Sequence, residues 1–261
     1  MQLTNIEEQI DQAIEQNQFI MHYQPVVHLN PDEFGKLAGL EALVRWKHPE
    51  LGFLLPGSFL SVLPESAFVK LCKAIFEITL KEFFNSKFHE TYPDIWVSIN
   101  ANAQSLINPA LQEELEKILT EKEPEKIVIE ITEQTAIPLI GNELKNARFQ
   151  ELMKELQKLK VRFAIDDLGA GYSLETLIKI VDANKIKLDR SLVSQINDHA
   201  RFYQLTKHLI QMAHSLDMTV VGEGIESIIE AKVLQELDCE YGQGYYFGKP
   251  LPLSSLILEV L

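Results

Sequence analysis

The residues of this chain best suited to chemistry are acids and amides set at the ends of short apolar runs. Glu41, and then Arg45, lie in the second run, and Asn100 closes the third. Glu130 interrupts Ile127-Val128-Ile129 and Ile131, with Glu133 three residues on. Asp166-Asp167 ends the fifth, Lys187 and Asp189 alternate in the sixth, Glu223 ends the seventh and Gln243 lies in the eighth. A charge inside an apolar run is costly unless it is paired or bound to metal. Carboxylates gathered at one place repel each other and need compensation, which divalent cations supply most simply. Oxygen donors with an amide, and neither Cys nor His, favour Mg2+ or Mn2+ over Zn2+. Adjacent Asp166 and Asp167 suit two ions, one carboxylate bridging and one terminal. Two ions about 3.5–4 Å apart form a clamp for phosphoester hydrolysis.

Each residue also has a plainer reading. A lone Glu in a strand is commonly solvated. An Asp-Asp pair before a glycine is often turn and cap chemistry. Glu41 and Arg45 could form a simple ion pair, and Lys187 with Asp189 an alternating exposed face. Position weighs against all of these together, because the set falls at the same end of successive strands.

Those strands follow from the apolar pattern. Eight are predicted, at Phe19–Val27, Leu37–Trp46, Ile95–Asn100, Lys126–Ile131, Arg162–Ile165, Lys185–Leu188, Met218–Gly222 and Glu240–Phe247. Between them run helical stripes: Ile6, Ile10 and Ile14 after the cap candidates Thr4 and Asn5; Leu111, Leu115, Ile118 and Leu119; Leu152, Leu156 and Leu159; and Leu205, Leu209 and Met212. Alternating β and α units imply a mostly parallel sheet, and eight strands favour an α/β TIM-like (β/α)8 barrel, in which chemistry sits at the C-terminal strand ends. The first two strands are joined only by His28–Lys36, with Asn30, Pro31 and Gly35. That segment is short for a parallel crossover and suits a hairpin, so the first strand should run antiparallel to the rest.

Length and composition set outer bounds. The chain has 261 residues, the usual size of one barrel, so residues 1–261 are read as a single domain. Its formal net charge of −14 argues against a DNA- or RNA-coating surface, but not against a small phosphate ligand neutralised by cations. No apolar run approaches the ~18–20 residues of a membrane span, and the N-terminus lacks a signal pattern. Cys72 and Cys239 lie far apart without metal-like spacing, so a cytoplasmic location is the default. No GxGxxG fingerprint is present.

Taken together, these residues resemble those of EAL domains, bacterial phosphodiesterases that cleave cyclic di-GMP to linear pGpG. Glu41-Ala42-Leu43 followed by Val44-Arg45-Trp46 matches the family signature. The others, in order, are Tyr23-Gln24-Pro25, Val97-Ser98-Ile99-Asn100, Glu130-Ile131-Thr132-Glu133, Asp166-Asp167 through Ser173, Ile186-Lys187-Leu188-Asp189, Glu223-Gly224-Ile225-Glu226 and Gln243-Gly244-Tyr245. The resemblance covers essentially the whole chain. It implies that Glu41, Asn100, Glu130 and Asp166 hold one ion and that Asp166, Asp167 and Glu223 serve a second, with Gln243 nearby. Glu223 is also assigned as a base in the family. Lys187 would orient the attacking water, with Asp189 as its partner. Arg45 would contact a substrate phosphate, and Gln24 other parts of the ligand. Glu133 would brace the loop Leu168–Ser173, which contains Gly169, Gly171 and Ser173 and couples a homodimer interface to metal binding. The resemblance further implies a possible sensory or regulatory domain outside this chain, and the looser coordination geometry of Ca2+ makes it an expected inhibitor. The loop departs from the family pattern at Leu168, Ala170 and Leu174, and no proposed ligand is lost. The alternatives are an EAL-like receptor that binds cyclic di-GMP without cutting it, and an unrelated metal-dependent barrel enzyme.

Overall fold

The structure is a computed structural model and describes residues 5–120, 122–136, 139, 142–168, 181–196 and 199–260. Its strands are β1 (Phe19–His28), β2 (Leu37–His48), β3 (Gly52–Leu54), β4 (Trp96–Ala101), β5 (Ile127–Thr132), β6 (Arg162–Leu168), β7 (Lys185–Leu188), β8 (Thr219–Gly222) and β9 (Tyr241–Gln243). They pair in the order β1-β9-β8-β7-β6-β5-β4-β2-β3, and β1 also pairs with β2. That last pairing closes an eight-stranded barrel, with β3 as an antiparallel flap on the rim of β2. The strands β2 and β4 to β9 are parallel in succession.

The first strand behaves as the short connection requires. β1 is antiparallel to β2 and β9, and the hairpin sets Gln24 opposite Glu41. The turn closes through His28 N–H to the Lys36 carbonyl and Gly35 N–H to the His28 carbonyl, both 2.9 Å.

Two predicted elements change. The eighth strand ends at Gln243 instead of Phe247, because the chain turns at Gly244: the amides of Phe247 and Gly248 both donate to the Gly244 carbonyl at 3.1 Å. The helix Ala200–His214 buries Thr206, Ile210 and Ala213 and packs the predicted Leu209 and Met212 partly against the core, while Leu205 is 43% exposed. The pattern also gave no sign of β3. The long helix Glu65–Phe84, which no predicted stripe names, packs Leu71, Phe76, Leu80 and Phe83 into the core. Asn5 precedes the first helix without accepting a capping bond from its backbone, its side chain donating to Glu8 instead, and Thr4 lies outside the described residues.

Most of the core lies between barrel and helices, as alternating strand faces require. Inside the barrel, a smaller cluster of Val26, Ala38, Trp96, Val128, Ala164 and Val221, with Tyr241, fills the floor. Lys185 is buried there, its ammonium 4.5 Å from the Trp96 ring centre and 3.9 Å from that of Tyr241. No helix among the described residues is long and apolar enough to cross a membrane.

Candidate active site

The acidic strand ends converge on one mouth of the barrel, because parallel neighbours in register bring their C-terminal residues together. Asn100 pairs with Glu130 across β4 and β5, and Thr132 with Asp166 across β5 and β6. Lys187 sits at the centre and is 1% exposed. Its Nζ lies 2.7 Å from Glu223, 2.8 Å from Glu130, 3.3 Å from Asp166 and 3.5 Å from Glu41. The alternating-face reading of Lys187 is thereby excluded: this is a buried ammonium with four carboxylates.

Amides complete the cage. Asn100 Nδ2 donates to Glu41 Oε1 at 2.7 Å, and Gln243 Nε2 donates to Glu41 Oε2 at 2.5 Å and to Gln24 Oε1 at 3.2 Å. Gln24 in turn donates to the Gly248 carbonyl at 3.1 Å. Arg45 is buried and donates to the Val44 carbonyl at 2.9 Å, while the close contacts of the Glu41 carboxylate are Lys187 and two amides.

Asp166 and Asp167 would face opposite sides of a regular strand. Here the β6–β7 register shifts between Ile165 and Leu168, and Asp167 takes φ +59°, a left-handed conformation that Asp tolerates. Oxygens of Asp166, Asp167 and Glu223 consequently lie within 4.8 Å of one another. The irregularity converts two faces into one site.

The electrostatics follow from burial and crowding. Burial pushes the Glu130 carboxyl up to about 8, against the pull of Lys187 and with help from Glu41 and Asp166. Burial likewise raises Glu223 well above the carboxylate range, and it raises Asp167 to about 6 with the charge of Asp166 adding to it. Glu41 moves the other way: its burial is outweighed by the Lys187 charge and by the bonds from Gln243 and Asn100. Burial also works against the charge on Lys187, yet the surrounding carboxylates hold its pKa well above the ordinary value. Four carboxylates within 3.5 Å of one ammonium, with Asp167 adjacent, thus crowd together more acid than that ammonium compensates. The buried Gln243 Oε1 has no partner among the described residues. Oxygen donors with surplus negative charge suit a hard divalent cation.

Asp189 differs from its expected place beside Lys187. Its carboxylate caps the helix Arg190–Val193, accepting from Ser191 N at 2.9 Å and from the Ser191 hydroxyl. Next to a helix start, the free backbone N–H is the nearer donor. Glu133 begins the helix Glu133–Ala136; its side chain, with Gly169, Gly171 and Ser173, lies outside the described residues.

Two cavities flank Glu41 and Leu43. One of about 240 Å³ is lined by Gln24, Arg190, Glu223, Glu226, Gln243 and Tyr245. The other, about 490 Å³, adds Asn102, Thr132 and Thr135 to an apolar wall of Pro56, Leu60, Phe68, Cys72 and Ile75. Sequence reasoning had singled out neither Arg190 nor the apolar wall. Arg190 directly follows Asp189, and that adjacency was the available signal; Phe68, Cys72 and Ile75 lie on a helix face that carries no polar marker.

Comparison with known proteins agrees with this geometry. Residues 7–250 match the EAL domain family. The cyclic di-GMP phosphodiesterase RocR of Pseudomonas aeruginosa is 32% identical over 243 residues, 92% of this chain and 59% of that protein. The chain spans about a third of the length of other curated relatives that it matches. Among solved structures, the EAL enzyme Bd1971 in its cAMP-bound form aligns with a TM-score of 0.82 at 28% identity, covering 98% of this chain and 70% of that one. The PaMucR phosphodiesterase in complex with c-di-GMP aligns with a TM-score of 0.75 at 25% identity, covering 96% and 99%. With the barrel, the ordered motifs and the family match in agreement, this chain belongs to the EAL domain family.

Proposed function

We propose that this chain hydrolyses cyclic di-GMP to linear pGpG with two divalent cations, Mg2+ or Mn2+. The observation that carries the reading is the convergence of Asp166, Asp167 and Glu223 beside a cage in which carboxylates outnumber the ammonium. Glu41, Asn100, Glu130 and Asp166 would hold one ion, and Asp166, Asp167 and Glu223 the other. When bound, such ions lower the pKa of a water and offset charge on phosphoryl oxygens. Lys187 orients the attacking water and offers positive charge beside the phosphate. Glu223, beside Lys187 at 2.7 Å, would also serve as the base that takes a proton from that water. Arg45 and Gln24 hold the phosphate and the remainder of the dinucleotide, and Gln243 keeps Glu41 aimed.

Chromatography of cyclic di-GMP incubated with the purified chain and Mg2+ or Mn2+ tests this. Metal-dependent appearance of pGpG is the expected result. Tight binding without product would mean a receptor instead, and absence of binding would defeat both readings. Ca2+ should inhibit, because it fills the site with longer, looser bonds; full turnover in Ca2+ alone would contradict that.

A further inference from the structure

We propose that Arg190 is a positioning residue for Glu223, acting as a strap over the turn Glu223–Glu226. The kinetic part rests on the phosphodiesterase reading above; the geometric part does not. Glu223 leaves β8 with its amide donating to the Leu188 carbonyl at 3.1 Å, and its carboxylate meets Lys187 at 2.7 Å. The next residue, Gly224, has φ +68°, a conformation open to glycine at little cost. Such a residue has many alternatives, so the aim of Glu223 depends on what holds the turn.

Two surfaces hold it. On one face lies Gly244: a Cβ there would stand 2.1 Å from the Ile225 carbonyl oxygen and 2.2 Å from the Ile225 nitrogen. Backbone thus packs directly on backbone, with Ile225 N donating to Gln243 O and Tyr246 N to Ile225 O, both 3.0 Å. On the other face lies Arg190. A Cβ on Gly224 would stand 2.3 Å from Arg190 Cγ and 2.6 Å from its Cβ, so the arginine stem occupies the space a side chain would take. Its guanidinium then donates to Glu226 Oε1 at 2.5 Å, spanning the turn. The strap joins the exit of β7 to the exit of β8 along the rim of the smaller cavity.

An exposed ion pair contributes little to overall stability. The effect of this one lies in geometry, where small displacements of a reacting group matter far more than they do for folding. Arg190→Ala should therefore leave the thermal midpoint within about 3 °C of the parent. It should lower kcat roughly tenfold with KM within about twofold. Mn2+ affinity, followed by electron paramagnetic resonance on the otherwise intact protein, should weaken on the order of tenfold, as when a partner behind a ligand is lost. Arg190→Lys, which keeps stem and charge, should recover most of both. Unchanged kcat and Mn2+ affinity in Arg190→Ala would overturn the strap. A loss confined to KM would make Arg190 a substrate contact, and failure of the lysine variant to recover would also overturn it. If the parent chain does not cleave cyclic di-GMP, the functional reading falls, while the Mn2+ comparison still decides the strap.

Discussion

At the scale of single residues, the site is governed by Lys187 and the carboxylates around it. Glu41→Ala and Asp166→Asn should each reduce turnover by ~100-fold or more while the chain still folds, since even outlying metal-site partners can cost that much. Retained activity with an unchanged circular-dichroism spectrum would mean the metal site is misplaced. Lys187→Met removes the buried ammonium that touches four acids. In metal-free protein this should destabilise by about 3–5 kcal/mol, the usual result of leaving buried charge uncompensated. Excess Mg2+ should restore more stability to this variant than to the parent, because a cation that binds only the folded state stabilises it by mass action. Equal denaturation midpoints without metal would remove the argument. Legibility differed within this one cage. Glu130 and Lys187 are visible as polar interruptions of apolar runs, and Glu223 as the acid that ends one. The role of Asp189 was not, because its competing backbone donor appears only once the next residues form a helix.

At the scale of elements, function depends on departures from regular strands. The register shift in β6 brings Asp166 and Asp167 to one side, and the early end of β9 lets Gly244 pack on the turn after β8. Gly244→Ala should therefore cost on the order of 3 kcal/mol or more, since backbone at 2.1 Å has no rotamer by which to yield. Urea denaturation measures this, and a midpoint equal to that of the parent would refute the contact. Period-two patterning predicted which runs are strands and could not predict these breaks. A bulge is one residue's departure from a pattern read over several. The same limit explains the helix Ala200–His214, where Leu209 and Met212 of the predicted stripe pack on the core but the buried centre of the face is Thr206, Ile210 and Ala213.

At the scale of the whole molecule, the barrel separates a charged mouth from a largely apolar floor, into which Lys185 is buried with Arg162 also over the Trp96 ring. Burial, with Arg162 adding to it, pushes its amine down to about 7 from the ordinary 10.5. The unfolded chain then binds the extra proton between those values, so stability rises with pH across that window and is lower beneath it. Lys185→Met should flatten that rise, as thermal midpoints taken from pH 6 to pH 10 would record; the same slope in both proteins would exclude the lysine as its source. By itself, the sequence determined the alternation of strands and helices, the antiparallel first strand and the strand ends that carry acids. Those features depend on local periodicity and on connection length, which neighbouring residues fix. Only the tertiary structure decided that Asp167 joins Asp166, that Lys187 bonds four acids and that Arg190 lies over Gly224. Each of these depends on residues from different strands meeting at the barrel mouth, and a linear pattern holds no record of that distance.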